Sequence, residues 1–198
     1  EEGHNLYMTA MVLAQTDTDL PTSDAVSFVM TPERLVTIRY IDPQPFRTYA
    51  LRCDRATVHV NRPELVLMQL LDAIVDRMAD ILEKTGSDVE VVSTEIFAPG
   101  SHKMGTRDFQ GILRRLGQKH GLTSKMRESL VSIGRVVAFM TALVDQMKQT
   151  KEVKENRARI RILQRDIQSL TDHASFLSGK ISFLLDAVLG LISIEQNG

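Results

Sequence analysis

The feature that most constrains this chain is an apolar repeat within its last forty residues. Apolar side chains recur there at alternating intervals of three and four. They are Ile160, Leu163, Ile167, Leu170, Ala174, Leu177, Ile181, Leu184, Val188 and Leu191. This spacing places every member on one helical face, so it predicts a single helix over residues 160–194. At about 1.5 Å per residue such a helix reaches roughly 50 Å, so we expect part of it to project beyond the globule and its apolar seam to need a partner.

Polarity changes along this predicted helix. Residues 151–165 are dense in charge, whereas residues 176–194 carry only Lys180 and Asp186. This second part is too polar for a membrane span, which needs about 20 predominantly apolar residues. We therefore expect the helix to lead into a membrane span rather than to be one.

Composition excludes several classes of function. Among 198 residues, 43% are hydrophobic and 25% are charged, which is typical of a folded protein, and the net charge of -1 argues against a nucleic-acid partner. The five histidines have no metal-binding spacing, and Cys53 is the only cysteine. Residues 100–105 (GSHKMG) lack the Gly-Lys-Ser/Thr ending of a phosphate-binding loop. We therefore predict that the protein is not an enzyme.

The first third of the chain has the pattern of a small sheet. Three β-like runs occupy residues 6–15, 25–30 and 35–41, and the last two are close enough to form an antiparallel hairpin. A helix is expected over residues 46–56. Three strands make a poor sheet alone, so we expect further strands to precede this chain.

The rest of the chain is helical by pattern. One helix is predicted over residues 63–97, continuing through Gly86. A shorter helix over residues 106–120 is expected to end at Gly121, and a second one over residues 124–149 is expected to pack antiparallel to it. The fold class is therefore α+β, dominated by long helices.

Carboxylates on the predicted helices are the candidate functional groups. Asp72, Asp76 and Asp80 are four residues apart, so they share one helical stripe. They form either a solvated face or part of a site for Mg²⁺, which favours carboxylates and retained waters. Asp186 lies in the charge-poor half of the last helix, either at a water-filled axis shared by several copies or at a simple surface position.

Several segments resemble the CorA family of divalent-cation transporters. Residues 71–76 (LDAIVD) and 81–84 (ILEK) are similar to that family's LDALVD and LLEK segments. Residues 170–197 resemble its stalk helix before the first membrane span, with residues 194–197 (IEQN) the most specific part, and residues 106–132 resemble its helical arm.

The resemblance implies an α/β/α-type funnel domain with a partly missing mixed sheet and a C-terminal stalk helix. It implies three parts: a β-rich part at residues 1–62, a long helix with an antiparallel helical arm at residues 63–150, and the stalk helix at residues 151–198. Two membrane spans and the family's Gly-Met-Asn signature are expected beyond Gly198, and its early strands before the first residue.

The resemblance also implies a function. The chain would be the cytoplasmic regulatory domain of a homopentameric inner-membrane transporter of Mg²⁺, with Co²⁺ and Ni²⁺ as further candidate ions. Asp72 and Asp166 would belong to an intersubunit regulatory cation site, Asp186 would be the acidic stalk position, and Asn197 would lie at the pore mouth. Two alternatives are a soluble coiled-coil scaffold with an α/β binding head and a Zn²⁺-transporting relative of the same superfamily.

Overall fold

The computed structural model describes residues 5–18, 20–54, 62–98, 105–146 and 150–197. Its described elements, in chain order, are β1 (Leu6–Ala14), β2 (Thr22–Met30), β3 (Leu35–Ile38), α1 (Gln44–Asp54), α2 (Pro63–Phe97), α3 (Thr106–Gln146) and α4 (Lys151–Asn197). The three strands form one sheet in the order β1-β2-β3. The α+β class, dominated by long helices, is confirmed.

The sheet is an antiparallel meander. β1 pairs with β2 in a register that places Ala10 opposite Val26, and β2 pairs with β3 through the predicted hairpin. The hairpin turn closes when the Thr31 amide donates to the Arg34 carbonyl at 2.8 Å and the Arg34 amide donates to the Thr31 hydroxyl at 2.9 Å. All three described strands are antiparallel, so the expected mixed character is not present among them.

One face of the sheet packs on helices and the other is open. Ala10, Val26 and Phe28 are fully buried on the inner face, where the Phe28 ring stacks on Phe46 of α1 with centroids 6.4 Å apart. α3 lies against the free edge of β1. There the Met11 amide donates to the Ser132 hydroxyl at 2.9 Å, and the Ser129 hydroxyl donates to the Met11 carbonyl at 2.6 Å.

α2 is the uninterrupted helix that the sequence predicts. It begins at Pro63, whose missing N–H costs nothing in the first turn, where the amides have no intrahelical partner. The helix continues past Gly86 because buried residues on both sides of it, including Leu82 and Val89, keep the same face packed. This packing outweighs the roughly 1 kcal/mol that glycine costs inside a helix.

α3 corrects the expectation of two short antiparallel helices. It is one helix of 41 residues that passes through Gly121 without a break. The apolar face continues across the glycine, with Leu116 and Met126 fully buried and Thr123 buried between them. The Thr123 hydroxyl donates to the Lys119 carbonyl at 2.8 Å, a contact within the helix. A glycine ends a helix only where the backbone turns left-handed, and no such turn occurs here.

α4 is confirmed as one long helix, and it begins earlier than the apolar repeat. Its 47 residues start after Thr150, whose hydroxyl accepts from the Val153 amide at 3.2 Å as an N-cap. α3 runs antiparallel to α4, as shown by the ion pair of Asp145 with Arg157 at 2.8 Å. α2 runs parallel to α4.

The apolar seam of α4 finds its partner inside the chain. Its residues from Ile160 to Val188 are mostly buried against α2 and α3, and Ile181, Leu184 and Val188 are completely so. The sequence indicated that the seam needs a partner, and over most of its length that partner lies within the same chain. The sequence pattern predicted two short helices in the region of α3. As a single helix of 41 residues, α3 is long enough to pack along α4.

Candidate functional site

The acidic stripe on α2 lies beside α1. Asp72, Asp76 and Asp80 are all exposed, as their spacing of four predicts for one helical face. Asp72 and Asp76 line an open cleft of about 160 Å³ between the two helices. The cleft wall is held by Tyr49, whose hydroxyl donates to the Gln69 side-chain oxygen at 2.9 Å.

Packing of α4 on α2 brings the carboxylate of Asp166 toward this stripe of three aspartates. Partial burial raises the pKa of Asp72, and the negative charges of Asp76 and Asp166 raise it further, while the Arg159 guanidinium acts in the opposite direction. Asp166 and Arg159 both lie on α4. The structure therefore places Asp72 and Asp166 within electrostatic reach of each other in a single chain.

The raised pKa of Asp72 has a simple physical meaning. Its ionised carboxylate is less stable here than in water, so a proton or a cation bound at this point is favoured. Asp72 remains exposed in the single chain, so solvent screens the repulsion and its contribution to stability is small. The carboxylates of Asp76 and Asp166 repel that of Asp72 modestly, and a bound cation would reduce this repulsion.

The carboxylate pair is not a complete metal site by itself. Within the described parts of the chain, no three His, Cys, Asp or Glu side chains are grouped closely enough to hold a metal ion. Mg²⁺ commonly binds through one or two carboxylates and keeps several waters.

The other two predicted site residues lie elsewhere. Asp186 is exposed on α4, 20 residues beyond Asp166, which is about 30 Å along the helix axis. Asn197 is the last residue of α4, and its side chain lies outside the described part of the structure. The structure therefore does not bring Asp186 together with Asp72 within one chain.

Two features of the site were missed by sequence reasoning. Arg159 lies seven residues before Asp166, a spacing that puts both on one face of α4 and could have identified it. The second is the environment of Tyr49, where burial and the neighbouring Cys53 raise the pKa of the phenol to about 12. The separation of four residues between Tyr49 and Cys53, within the predicted helix over residues 46–56, could have indicated that contact.

The second half of α4 is held to α2 by a mixed set of contacts. Lys180 forms an ion pair with Glu90, and the Phe183 ring stacks on Phe97 with centroids 6.2 Å apart.

By length and composition alone, the segment Val153–Glu195 could cross a membrane: one 18-residue window has a mean hydropathy of 1.7 and is 22% buried. Core helices of soluble proteins pass the same test, so this finding is weak evidence of a span.

Relatives of known description match the whole chain. "Magnesium transport protein CorA" of Mannheimia succiniciproducens is 28% identical over 197 residues, which are 100% of this chain and 59% of the relative. The protein of the same description from Salmonella typhimurium is 28% identical over 202 residues, again 100% of this chain and 59% of the relative. The chain thus spans less than two thirds of the length of these relatives.

Solved structures share the fold. The complete CorA magnesium transporter of Methanocaldococcus jannaschii superposes with a TM-score of 0.78 at 16% identity, covering 100% of this chain and 59% of that one. The ZntB cytoplasmic domain of Vibrio parahaemolyticus gives a TM-score of 0.64 at 9% identity, covering 96% and 70%. A family model described as "CorA-like Mg2+ transporter protein" matches residues 1–198. By that match over its full length, this chain belongs to the family of CorA-like Mg²⁺ transporter proteins.

Proposed function

We propose that this chain is the cytoplasmic, cation-sensing part of an inner-membrane Mg²⁺ transporter. The observation that carries the proposal is the match of residues 1–198 to the family of CorA-like Mg²⁺ transporter proteins. The position of Asp72 beside Asp76, with its pKa raised by burial and by the carboxylates of Asp76 and Asp166, supports a cation site there. Family membership supports ion transport as the activity of the whole protein, because the family is one of transporters. It also disfavours the alternative of a soluble coiled-coil scaffold.

The proposed mechanism is gating by a bound cation. A divalent ion bound between subunits at Asp72 and Asp166 cancels carboxylate repulsion and stabilises the symmetric closed pentamer. When the ion dissociates, the repulsion returns, the interfaces between subunits loosen and the stalk helices shift. The ion shifts this equilibrium only because it binds one arrangement better than the other.

The assembly completes this proposal. Asp72 and Asp166 supply two ligands from one chain, and an adjacent copy in a homopentamer would supply the rest. In that assembly the five copies of α4 surround a central axis, with Asp186 along the stalk and Asn197 at the pore mouth. The transported and regulatory ion is Mg²⁺, with Co²⁺ and Ni²⁺ as further candidates.

The test is protection of the full-length transporter from proteolysis by Mg²⁺. Removing one of the two ligands that each chain supplies, with Asp72→Asn, should raise the Mg²⁺ concentration for half-protection about tenfold, the factor that corresponds to about 1.4 kcal/mol. Asp80→Asn is the matched control, because Asp80 is an exposed aspartate of the same stripe that does not contribute to the Asp72 shift. Unchanged protection in Asp72→Asn would refute the cation-sensing role.

The same assay separates the candidate ions. Protection measured with Co²⁺, Ni²⁺ and Zn²⁺ in place of Mg²⁺ gives the order of affinities at this site. A transporter sensing Mg²⁺ should be protected by Mg²⁺ at physiological concentrations. Protection by Zn²⁺ alone would favour the zinc-transporting alternative.

A further inference from the structure

Arg159 of α4 lies close to the pair of carboxylates formed by Asp72 and Asp166. Lys180 of α4 bonds to Glu90 of α2, and these two residues are 90 positions apart in the chain. Because the two helices run parallel and rise equally per residue, the same offset places Asp72 at the level of α4 between Arg159 and Asp166. A fixed positive charge therefore lies within about one turn of Asp72, measured along the helix axis.

Arg159 forms no ion pair of its own within the parts of the chain that the structure describes. Its side chain is exposed. Arg157, by contrast, is paired with Asp145 at 2.8 Å. Glu155 lies one turn before Arg159 on the same helix, and no ion pair joins these two described side chains. The charge of Arg159 can therefore act on the carboxylates at the contact between α2 and α4.

The Asp72 carboxylate is affected by this charge. Burial and the negative charge of Asp76 raise the pKa of Asp72, whereas the Arg159 guanidinium lowers it. Arg52 of α1 also lines the cleft beside Asp72, but Arg159 is the cation that shifts the pKa of Asp72. A positive charge that stabilises the ionised carboxylate also repels a second positive charge bound to it. Arg159 and a cation bound at Asp72 therefore oppose each other.

We propose that Arg159 is an internal competitor of the divalent cation at Asp72 and Asp166, and that it sets the Mg²⁺ concentration at which this site fills. The inference rests on the proposed function, because it concerns the regulation of the same site. With no ion bound, the guanidinium balances part of the carboxylate charge. When Mg²⁺ binds, the two cations repel each other, so binding is weaker than it would be beside a neutral side chain. Arginine stays charged at every physiological pH, so this effect is constant.

The test is the Mg²⁺ concentration that half-protects the full-length transporter from proteolysis. Arg159→Gln removes the charge and should lower this concentration about threefold, because charges several ångströms apart repel only weakly in a largely aqueous setting. Arg159→Lys keeps the charge and should behave like the unmodified protein. Because Arg159 is exposed, neither substitution should disturb the fold. An unchanged concentration in Arg159→Gln, or an equal fall in both variants, would overturn the proposal.

Arg161→Gln is the matched control. Arg161 is also an exposed arginine of α4, and its position two residues after Arg159 places it on nearly the opposite side of the helix. Its replacement removes the same charge from the chain but should leave the Mg²⁺ concentration for half-protection unchanged. A fall as large as that in Arg159→Gln would assign the effect to net charge and contradict the proposal.

Ionic strength distinguishes charge repulsion from a change in packing. Salt screens interactions between exposed charges. The ratio of the half-protection concentrations of the unmodified protein and Arg159→Gln should therefore approach one as NaCl is added. A ratio that salt does not change would show that the substitution acts through packing, and would refute the competitor role.

Failure of this inference can be told from failure of the proposed function. Asp72→Asn should weaken Mg²⁺ protection whether or not Arg159 competes with the ion. If Asp72→Asn weakens protection and Arg159→Gln leaves it unchanged, the cation site stands and only the competitor role is refuted. If neither variant changes protection, both the site and its competitor are refuted.

Discussion

Both faces of α4 carry large apolar side chains, but those of one face are buried and those of the other are exposed. The inner face is buried against α2 and α3, with Ala174, Ile181 and Val188 completely removed from solvent. The outer face exposes five large apolar side chains, which are Ile162, Phe176, Phe183, Leu189 and Ile194. The inner repeat is satisfied within one chain, and the outer row is not. The regular apolar pattern therefore identified the core of the chain, whereas the less regular row stays exposed.

The outer row has its own spacing. Phe176 and Phe183 are seven residues apart, and Ile162 lies two such intervals before Phe176, as on one seam of a coiled coil. Within the chain, Phe183 touches Phe97 but remains 61% exposed. In the proposed pentamer this row would face the neighbouring stalks.

The largest effect is expected from neighbouring residues on opposite faces. Leu177 is 2% exposed and Phe176 is 69% exposed. Leu177→Ala should lower the free energy of unfolding by about 2–5 kcal/mol, because it removes buried methyl groups and leaves a cavity. Phe176→Ala should change it by less than about 0.5 kcal/mol. Urea unfolding of the two variants measures both values, and equal losses would mean that the two faces are not distinct.

A smaller effect is expected at Gly121 on the outer face of α3. A Cβ added there meets nothing within 4 Å, and the residue is exposed. Gly121→Ala should therefore raise the free energy of unfolding by about 0.5–1 kcal/mol through helix propensity alone. Thermal unfolding followed by circular dichroism checks this. A loss of stability would indicate a turn at Gly121, as in the two-helix arrangement expected from the sequence.

The smallest effect concerns Asp72, which is exposed yet electrostatically coupled to α4. Its pKa is raised in the folded chain above the ordinary value of 3.8, so the folded state holds this proton more tightly than the unfolded state does. The contribution of Asp72 to stability therefore falls as pH rises through the raised pKa. Asp72→Asn should stabilise the chain at pH 7 by on the order of 0.5 kcal/mol, the scale of like-charge repulsion on a helix.

The pH dependence supplies the control for that variant. The gain of Asp72→Asn over the unmodified chain should shrink as the pH falls toward 3.8, because protonation then removes the same charge. Urea unfolding at pH 7 and at pH 4 measures the difference. Asp80→Asn is the matched control, because Asp80 does not contribute to the raised pKa of Asp72. An identical profile for both variants would assign the effect to general surface charge.

The sequence predicted the elements better than their packing. The spacing of apolar residues at intervals of three and four correctly predicted the helices α2 and α4. The short segment at residues 31–34 correctly predicted the hairpin of β2 and β3. Gly121 misled the prediction of α3, because the packing of Leu116 and Met126 across it is visible only in three dimensions.

The candidate site was predictable only in part. The stripe of aspartates on α2 follows from spacing, but its approach to Asp166 depends on how far α4 is shifted along α2. That shift is set by the burial of the α4 seam, including Ile181 and Leu184, against α2 and α3. Resemblance to a family, rather than periodicity, supplied Asp166 as a candidate, and the electrostatic effect of Arg159 emerged only from the fold.

The serines of α3 have a consequence for how the sheet can grow. Ser129 and Ser132 occupy the backbone hydrogen-bonding groups of Met11 that an additional strand would use. A helix thus closes this border of the sheet, in the way that natural proteins protect exposed strand edges from unwanted pairing. At Met11 an additional strand would therefore have to displace these two serine contacts, whereas β3, with Val36 and Ile38, forms the opposite border of the sheet.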